Sequence, residues 1–241
     1  MTSSLLTERC LTFINSQLQP ASAAAEGASP ARKLAVTLSR QTGSGAWQVA
    51  ERLAEYLEER APAENRRWTV FDRELVEKVL EDHNLPKKLA QYMPEDRVSA
   101  IEDMMHEVLG LAPASWTLVH QTMETVLKLA ELGQVILIGR GANLITSRLG
   151  HMFHVRLVGS LEKRVARVRE YYKFDQRAAA EFILKTDRGR QRYLKEHFKV
   201  EGENPLLYDL VINTDRITCA DAAVLIGDAM LRRAPVREWL A

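Results

Sequence analysis

The chain has 241 residues, 46% of them hydrophobic and 27% charged, proportions that suit one globular α/β domain with a helical insert. Its 33 basic and 32 acidic side chains leave a net charge of +1, which excludes a global pull toward nucleic acid or an anionic membrane. No apolar run reaches membrane-spanning length, and the N-terminus lacks a basic region followed by an apolar stretch, so a cytoplasmic location is expected.

The two cysteines, Cys10 and Cys219, lie far apart without CxxC partners. They imply a reducing compartment, and each reads as a buried small hydrophobe. Local charge is uneven: residues 51–110 carry 15 acidic and 9 basic side chains, residues 156–199 carry 13 basic and 6 acidic. The basic stretch fits either a solvated helix face or a site for a polyanion such as a triphosphate.

Leu5 to Leu18 has apolar residues at roughly helical period, and the Ala/Ser/Pro/Gly-rich stretch to Arg32 reads as a linker. Residues 1–32 are therefore expected to be an appendage, with partner binding as its alternative use, and residues 33–241 the main domain. Leu34 to Leu38 (LAVTL) reads as a strand buried on both faces, followed by Ser39-Arg40-Gln41-Thr42-Gly43-Ser44-Gly45 and a helix from Trp47. Trp68 to Phe71, Val135 to Ile138, Phe153 to Leu157 and Tyr208 to Ile212 supply four further strands. Helices are expected between residues 75 and 132 with Gly133 as a stop, over 161–173 with Ser160 as cap, over 175–200, and over 220–231. Strands alternating with helices predict a parallel sheet covered on both faces.

Three groups of residues carry chemistry. Gly43, Ser44 and Gly45 stand between a buried strand and a helix, where backbone N–H groups turn inward to cradle phosphate oxygens. A tight turn without ligand is the competing reading, and Ala46 and Trp47 occupy the places of the usual lysine and hydroxyl residue. Asp72, Arg73 and Arg140 follow strand ends, where ligands sit in open parallel sheets, and arginine there offers a planar fork to phosphate. Capping plus surface charge is the alternative for the first two. The third group is the arginine-rich stretch, Arg164, Arg167 and Arg169, then Lys185, Asp187, Arg188, Arg190 and Arg192. Arg188 and Arg192 share a helical face beside Asp187, and the stretch reads as a lid over a triphosphate or, equally, a solvated helix face. His151 and His154 read as structural, since no further ligand candidates cluster near them.

These segments in this order (SRQTGSGAWQVAERLAEYL, FDRELVEKV, GQVILIGRGANLI, HVRLVGSLEKRVARV, KTDRGRQRYLKEHF and YDLVINT) resemble the cytidylate kinase-like family from about Leu34 to Leu231. The resemblance implies a three-layer P-loop kinase-like α/β fold with a five-stranded parallel sheet. It also implies a helical monophosphate-binding insert at about 73–132 and an arginine-bearing lid at about 174–200. The implied reaction moves the γ-phosphoryl group of ATP, with Mg²⁺, to a nucleoside monophosphate, CMP foremost. By position, Gly43, Ser44 and Gly45, with Arg40, Ala46 and Trp47 around them, hold the donor; Asp72, Arg73 and Arg140 face the acceptor; Asp187, Arg188 and Arg192 form the lid. The implied partners are nucleoside tri- and monophosphates, with neither nucleic acid nor membrane, and a homodimer as an option. The absent lysine, and Gly141 in place of the family's aspartate, leave a non-catalytic nucleotide sensor as the alternative. A dinucleotide-dependent oxidoreductase ranks third, because a full GxGxxG is missing.

Overall fold

The computed structural model describes residues 34–60, 67–72, 117–139 and 141–233. Its strands are β1 (Ala35–Arg40), β2 (Thr69–Phe71), β3 (Val135–Ile138), β4 (Met152–Val158) and β5 (Leu210–Asn213). Its α-helices are α1 (Ala46–Arg60), α2 (Thr117–Leu132), α3 (Ala142–Ile145), α4 (Leu161–Tyr172), α5 (Gln176–Phe198) and α6 (Cys219–Arg232). The strands form one parallel sheet in the order β2-β3-β1-β4-β5. The expected α/β architecture is thus present. The N-terminal helix and linker, and the part of the helical insert over residues 73–116, lie outside the described residues.

Parallel strands buried on both faces need near-continuous apolar runs, and β1 and β3 supply them. On one face Val36, Leu38, Ile136, Ile138, Val155 and Leu157 pack with Val49, Ala50, Leu53 and Leu57 of α1 and Ala222, Ala223 and Ile226 of α6. These α1 positions recur at three and four, the stripe a core-facing helix requires. Each fully buried leucine contributes about 1.5–3 kcal/mol. A smaller cluster of Val165, Val168, Ala179 and Ile183 joins α4 to α5 and makes these two helices a hairpin with its own core.

Several boundaries differ from those the sequence suggests. β1 runs on to Arg40 because Ser39 and Arg40 keep their register with Arg156 and Leu157 of β4. β5 begins at Leu210 because a 3₁₀ turn, Pro205–Leu207, precedes it, capped by Asn204, and the Tyr208 N–H is taken by the Pro205 carbonyl. The short α3 was not expected; it starts after Gly141 at φ +70°, and the Thr146 hydroxyl closes it on the Ala142 carbonyl at 2.7 Å. Gly133 ends α2 as expected, at φ +72°. α5, over the segment expected to be a lid, is one unbroken helix, capped by Asp175, whose carboxylate accepts from the Ala178 N–H at 2.8 Å.

Candidate functional site

The site grows from the turn between β1 and α1. Gly43 and Gly45 have φ of +80° and +84°, the left-handed region that glycine enters without strain. A Cβ on Gly43 would lie 2.7 Å from the Arg164 carbonyl oxygen, so α4 also forbids a side chain there. At Gly45 it would lie 2.7 Å from Cys219 Sγ. Cys219 is half-buried, not the fully buried hydrophobe the sequence suggested, because it opens α6 beside the loop. The first turn of α1 holds no acidic side chain, which leaves its N-terminal dipole available to an anion. The Ser44 hydroxyl donates to the Gln41 carbonyl at 2.8 Å and so tightens the turn. Ala46 is buried and Trp47 packs against the main core, so neither supplies an ammonium or hydroxyl group to the loop.

The hairpin of α4 and α5 is docked on this turn. Thr42 donates to Asp187 Oδ1 through its backbone N–H at 2.9 Å and its hydroxyl at 2.6 Å. Arg190 Nη1 reaches the same Oδ1 at 3.1 Å and Thr42 Oγ1 at 2.6 Å. Arg164 Nη1 meets Asp187 Oδ2 at 2.7 Å, while its Nε donates to the Gly159 carbonyl at 3.0 Å. Arg167 Nη1 bridges the Gly43 carbonyl at 3.4 Å and Thr214 Oγ1 at 3.1 Å, tying the loop to the end of β5. Beside it, Asp215 accepts from the Ser160 N–H at 2.8 Å, and the Ser160 hydrogen bonds hold its carboxyl below the ordinary range.

Of the residues singled out in sequence, Gly43, Ser44, Gly45, Ala46, Trp47 and Asp187 therefore meet at one turn. Arg40 stands at the end of β1, its guanidinium against Gly139: a Cβ there would lie 1.7 Å from Arg40 Nη1. Asp72 follows the end of β2, whose Phe71 pairs with Leu137 of β3. Arg73 and Arg140 lie outside the described residues. Arg188 and Arg192 are exposed and make no hydrogen bond or ion pair among the described residues; one step of three from Asp187 selects Arg190 instead. Thr42 gained no role from sequence, and Arg164, Arg167 and Arg190 stood in the arginine-rich stretch without individual roles. The i, i+3 spacing of Arg164 with Arg167, and of Asp187 with Arg190, was the available signal.

His151 and His154 serve the core: His151 Nε2 lies 2.9 Å from the Ala130 carbonyl, and His154 Nδ1 2.8 Å from Thr37 Oγ1. Among the described residues no group of three His, Cys, Asp or Glu side chains forms a metal-binding cluster, and no helix is long and apolar enough to cross a membrane.

A parallel 2-3-1-4-5 sheet with a glycine turn after its central strand defines an α/β protein of the P-loop kinase-like fold. The sequence matches the cytidylate kinase-like family over residues 35–216, and the chain belongs to that family. A crystal structure of an uncharacterized protein from Eubacterium ventriosum is similar in fold, with a TM-score of 0.65 at 20% identity, covering 84% of this chain and all of that one. A shikimate kinase from Bacteroides thetaiotaomicron aligns at a TM-score of 0.45 and 12% identity, over 82% of this chain and 98% of that one. Comparison with curated proteins gives no match.

Proposed function

We propose that this chain is a nucleotide kinase that transfers the γ-phosphoryl group of ATP to a nucleoside monophosphate, with CMP as the first acceptor to test. The observation that carries this reading is the contact between a glycine-rich phosphate turn and a cation-bearing helical lid, Arg190 to Thr42. Phosphoryl transfer depends on positioning and on neutralising charge at the transferring group. The backbone amides of Gly45 to Trp47 and the dipole of α1 supply a cradle for the donor phosphates, while the Ser44 N–H is held by the Gln41 carbonyl. Arg164, Arg167 and Arg190 supply positive charge that the loop itself, with Ala46 in place of lysine, lacks.

Arg188 and Arg192, exposed on the same helix, are proposed to engage phosphate oxygens when both substrates are bound; Asp187 would set the helix against the loop. Arg40 and Asp72 stand near the strand ends where the two substrates would meet, and Arg73 and Arg140 are proposed for the acceptor phosphate. Magnesium would enter with the triphosphate, held mainly by phosphate oxygens and water, as this small, strongly hydrated ion usually is. Bound there, it would neutralise donor charge. Ala46 and Trp47 offer it no ligand.

The test is a panel of nucleoside monophosphates with ATP, scored for ADP release with and without Mg²⁺. Gly45→Val serves as a control that blocks the turn. ATP binding by calorimetry, lost in that variant while the fold persists, supports the reading; no response to any triphosphate at millimolar concentration ends it. A second reading, a nucleotide sensor without turnover, is favoured by Asp187 occupying the Thr42 N–H in a loop that lacks lysine. Binding without ADP release for every acceptor would select it.

A further inference from the structure

Two arginines in the described structure are more than nine-tenths buried, and their surroundings differ sharply. Arg164, 8% exposed, is neutralised by Asp187 at 2.7 Å and donates to two backbone carbonyls. Arg156, 9% exposed, has no carboxylate partner among the described residues. Among the described residues its one hydrogen bond goes to the Tyr208 hydroxyl, at 3.4 Å, with the Tyr208 ring 5.6 Å from the guanidinium carbon. A buried, uncompensated guanidinium is costly, and it carries five N–H donors that need acceptors.

Its position says where an acceptor would come from. Arg156 is the register partner of Ser39, at the carboxyl ends of β4 and β1, one residue before Arg40. Strand alternation puts both side chains on the sheet face opposite α1. Polar groups converge there: the Tyr208 hydroxyl donates to the Gly202 carbonyl at 2.7 Å and lies 3.4 Å from Ser39 Oγ. The turn after α5 is thereby tied above the guanidinium. Leu194 of α5 approaches both Gly202 and Gly141, and an added Cβ at Gly202 would lie 3.9 Å from Arg156 Nη1. The crevice beyond strand ends is where open parallel sheets bind ligands.

We infer that Arg156, with Ser39 and Tyr208, forms a second anion site that receives a phosphate oxyanion of the acceptor, separate from the donor turn at Gly43 to Gly45. This rests on the kinase reading for the identity of the ligand, but not for the site. The planar fork of Arg156 takes two phosphate oxygens. The Ser39 hydroxyl takes a third, and Tyr208 holds the cover.

The experiment uses the full chain and two probes, inorganic phosphate and CMP, with ATP as a separate arm, each titrated by calorimetry and by thermal shift. Arg156→Met keeps the bulk and removes the charge. The expected result is a melting temperature without ligand that is unchanged or higher, monophosphate and phosphate affinities weakened roughly ten- to hundredfold, and ATP affinity unchanged. Arg156→Lys keeps the charge without the fork and should fall between, which preserves the test should the methionine variant not fold. A lower melting temperature with both anion affinities within about twofold of wild type would make Arg156 a packing residue only and overturn the inference. So would failure of wild type to bind either probe at millimolar concentration. Arg156-dependent binding of phosphate and CMP without any ATP response would leave this site standing and remove the kinase reading.

Discussion

Asp187 and Thr42, 145 positions apart, are joined by two hydrogen bonds to a single carboxylate oxygen, one from the Thr42 backbone N–H and one from its hydroxyl. The same carboxylate neutralises Arg164 on its other oxygen. Asp187→Asn keeps the shape and strips the charge from beside a buried guanidinium. The expected loss is about 2–3 kcal/mol, less than for a fully enclosed pair because the Asp187 side chain is partly exposed. For a domain of this size that is a fall in melting temperature of roughly 4–12 °C, readable by calorimetry. A change under 1 °C would show that the helix is not anchored through this residue.

Two glycines should respond in opposite directions to the same change. Gly43→Ala puts a Cβ at positive φ and 2.7 Å from the Arg164 carbonyl, which belongs to backbone and cannot step aside. It should cost about 1–3 kcal/mol. Gly189 lies within α5 with nothing within 4 Å of an added Cβ. Gly189→Ala should gain about 0.5–1 kcal/mol from helix propensity and a less free unfolded chain. Urea midpoints of the two variants test both signs at once.

Under the proposed function the α5 arginines separate by kinetics. Arg190 touches the glycine turn through Thr42, so under the proposed function Arg190→Ala should raise the KM for ATP as well as lower kcat. Arg188→Ala and Arg192→Ala should lower kcat by about tenfold or more with little change in KM, the signature of groups engaged only at the transition state. Full activity in the Arg188/Arg192 double variant would remove both from the mechanism.

His154 makes stability depend on pH. Burial, above all, holds its pKa down to about 4; the Arg233 charge adds to this and Asp209 opposes it. In the unfolded chain the imidazole titrates near 6.5. Between those values the unfolded state binds a proton that the folded state refuses, so this contribution is intact above pH 6.5 and is lost as pH falls toward 4. The loss reaches at most about 3 kcal/mol. His154→Gln should be less stable at neutral pH and show a flatter decline from pH 7 to 4.5, measured as urea midpoints at each pH. Parallel curves for the two proteins would refute the assignment.

The sheet was legible because apolar runs such as Val135 to Ile138, short and flanked by Gly133 and Gly139, suit a buried strand better than a helix. The turn at Gly43 was legible for a related reason, since glycines between strand and helix have few other uses. What sequence concealed was direction on α5. Asp187, Arg188, Arg190 and Arg192 are near neighbours in a basic helix, and only packing of α4 against α5 through Val168 and Ile183 decides which of them face the turn. Thr42 was invisible for the opposite reason, since a threonine beside a glycine turn carries no signal until a carboxylate arrives from 145 residues away. Arg156 was hidden because its environment is made by Ser39 and Tyr208, each from another strand end.

The order of the strands has a consequence for how the chain is made. β1 is central and first, and Thr37 must find His154, its register partner 117 positions later. A ribosome adding about 5–20 residues per second needs roughly 6–23 s to produce that stretch. Until β3 is made the nascent β1 has both hydrogen-bonding edges open, and until β4 is made it has one, the condition in which strands pair with the wrong partner. The glycine turn directly behind it is encoded early, yet it takes its final shape only after α5 has left the exit tunnel. Translation speed between β2 and β4, or shelter by a chaperone in that window, should therefore govern the yield of correctly assembled protein.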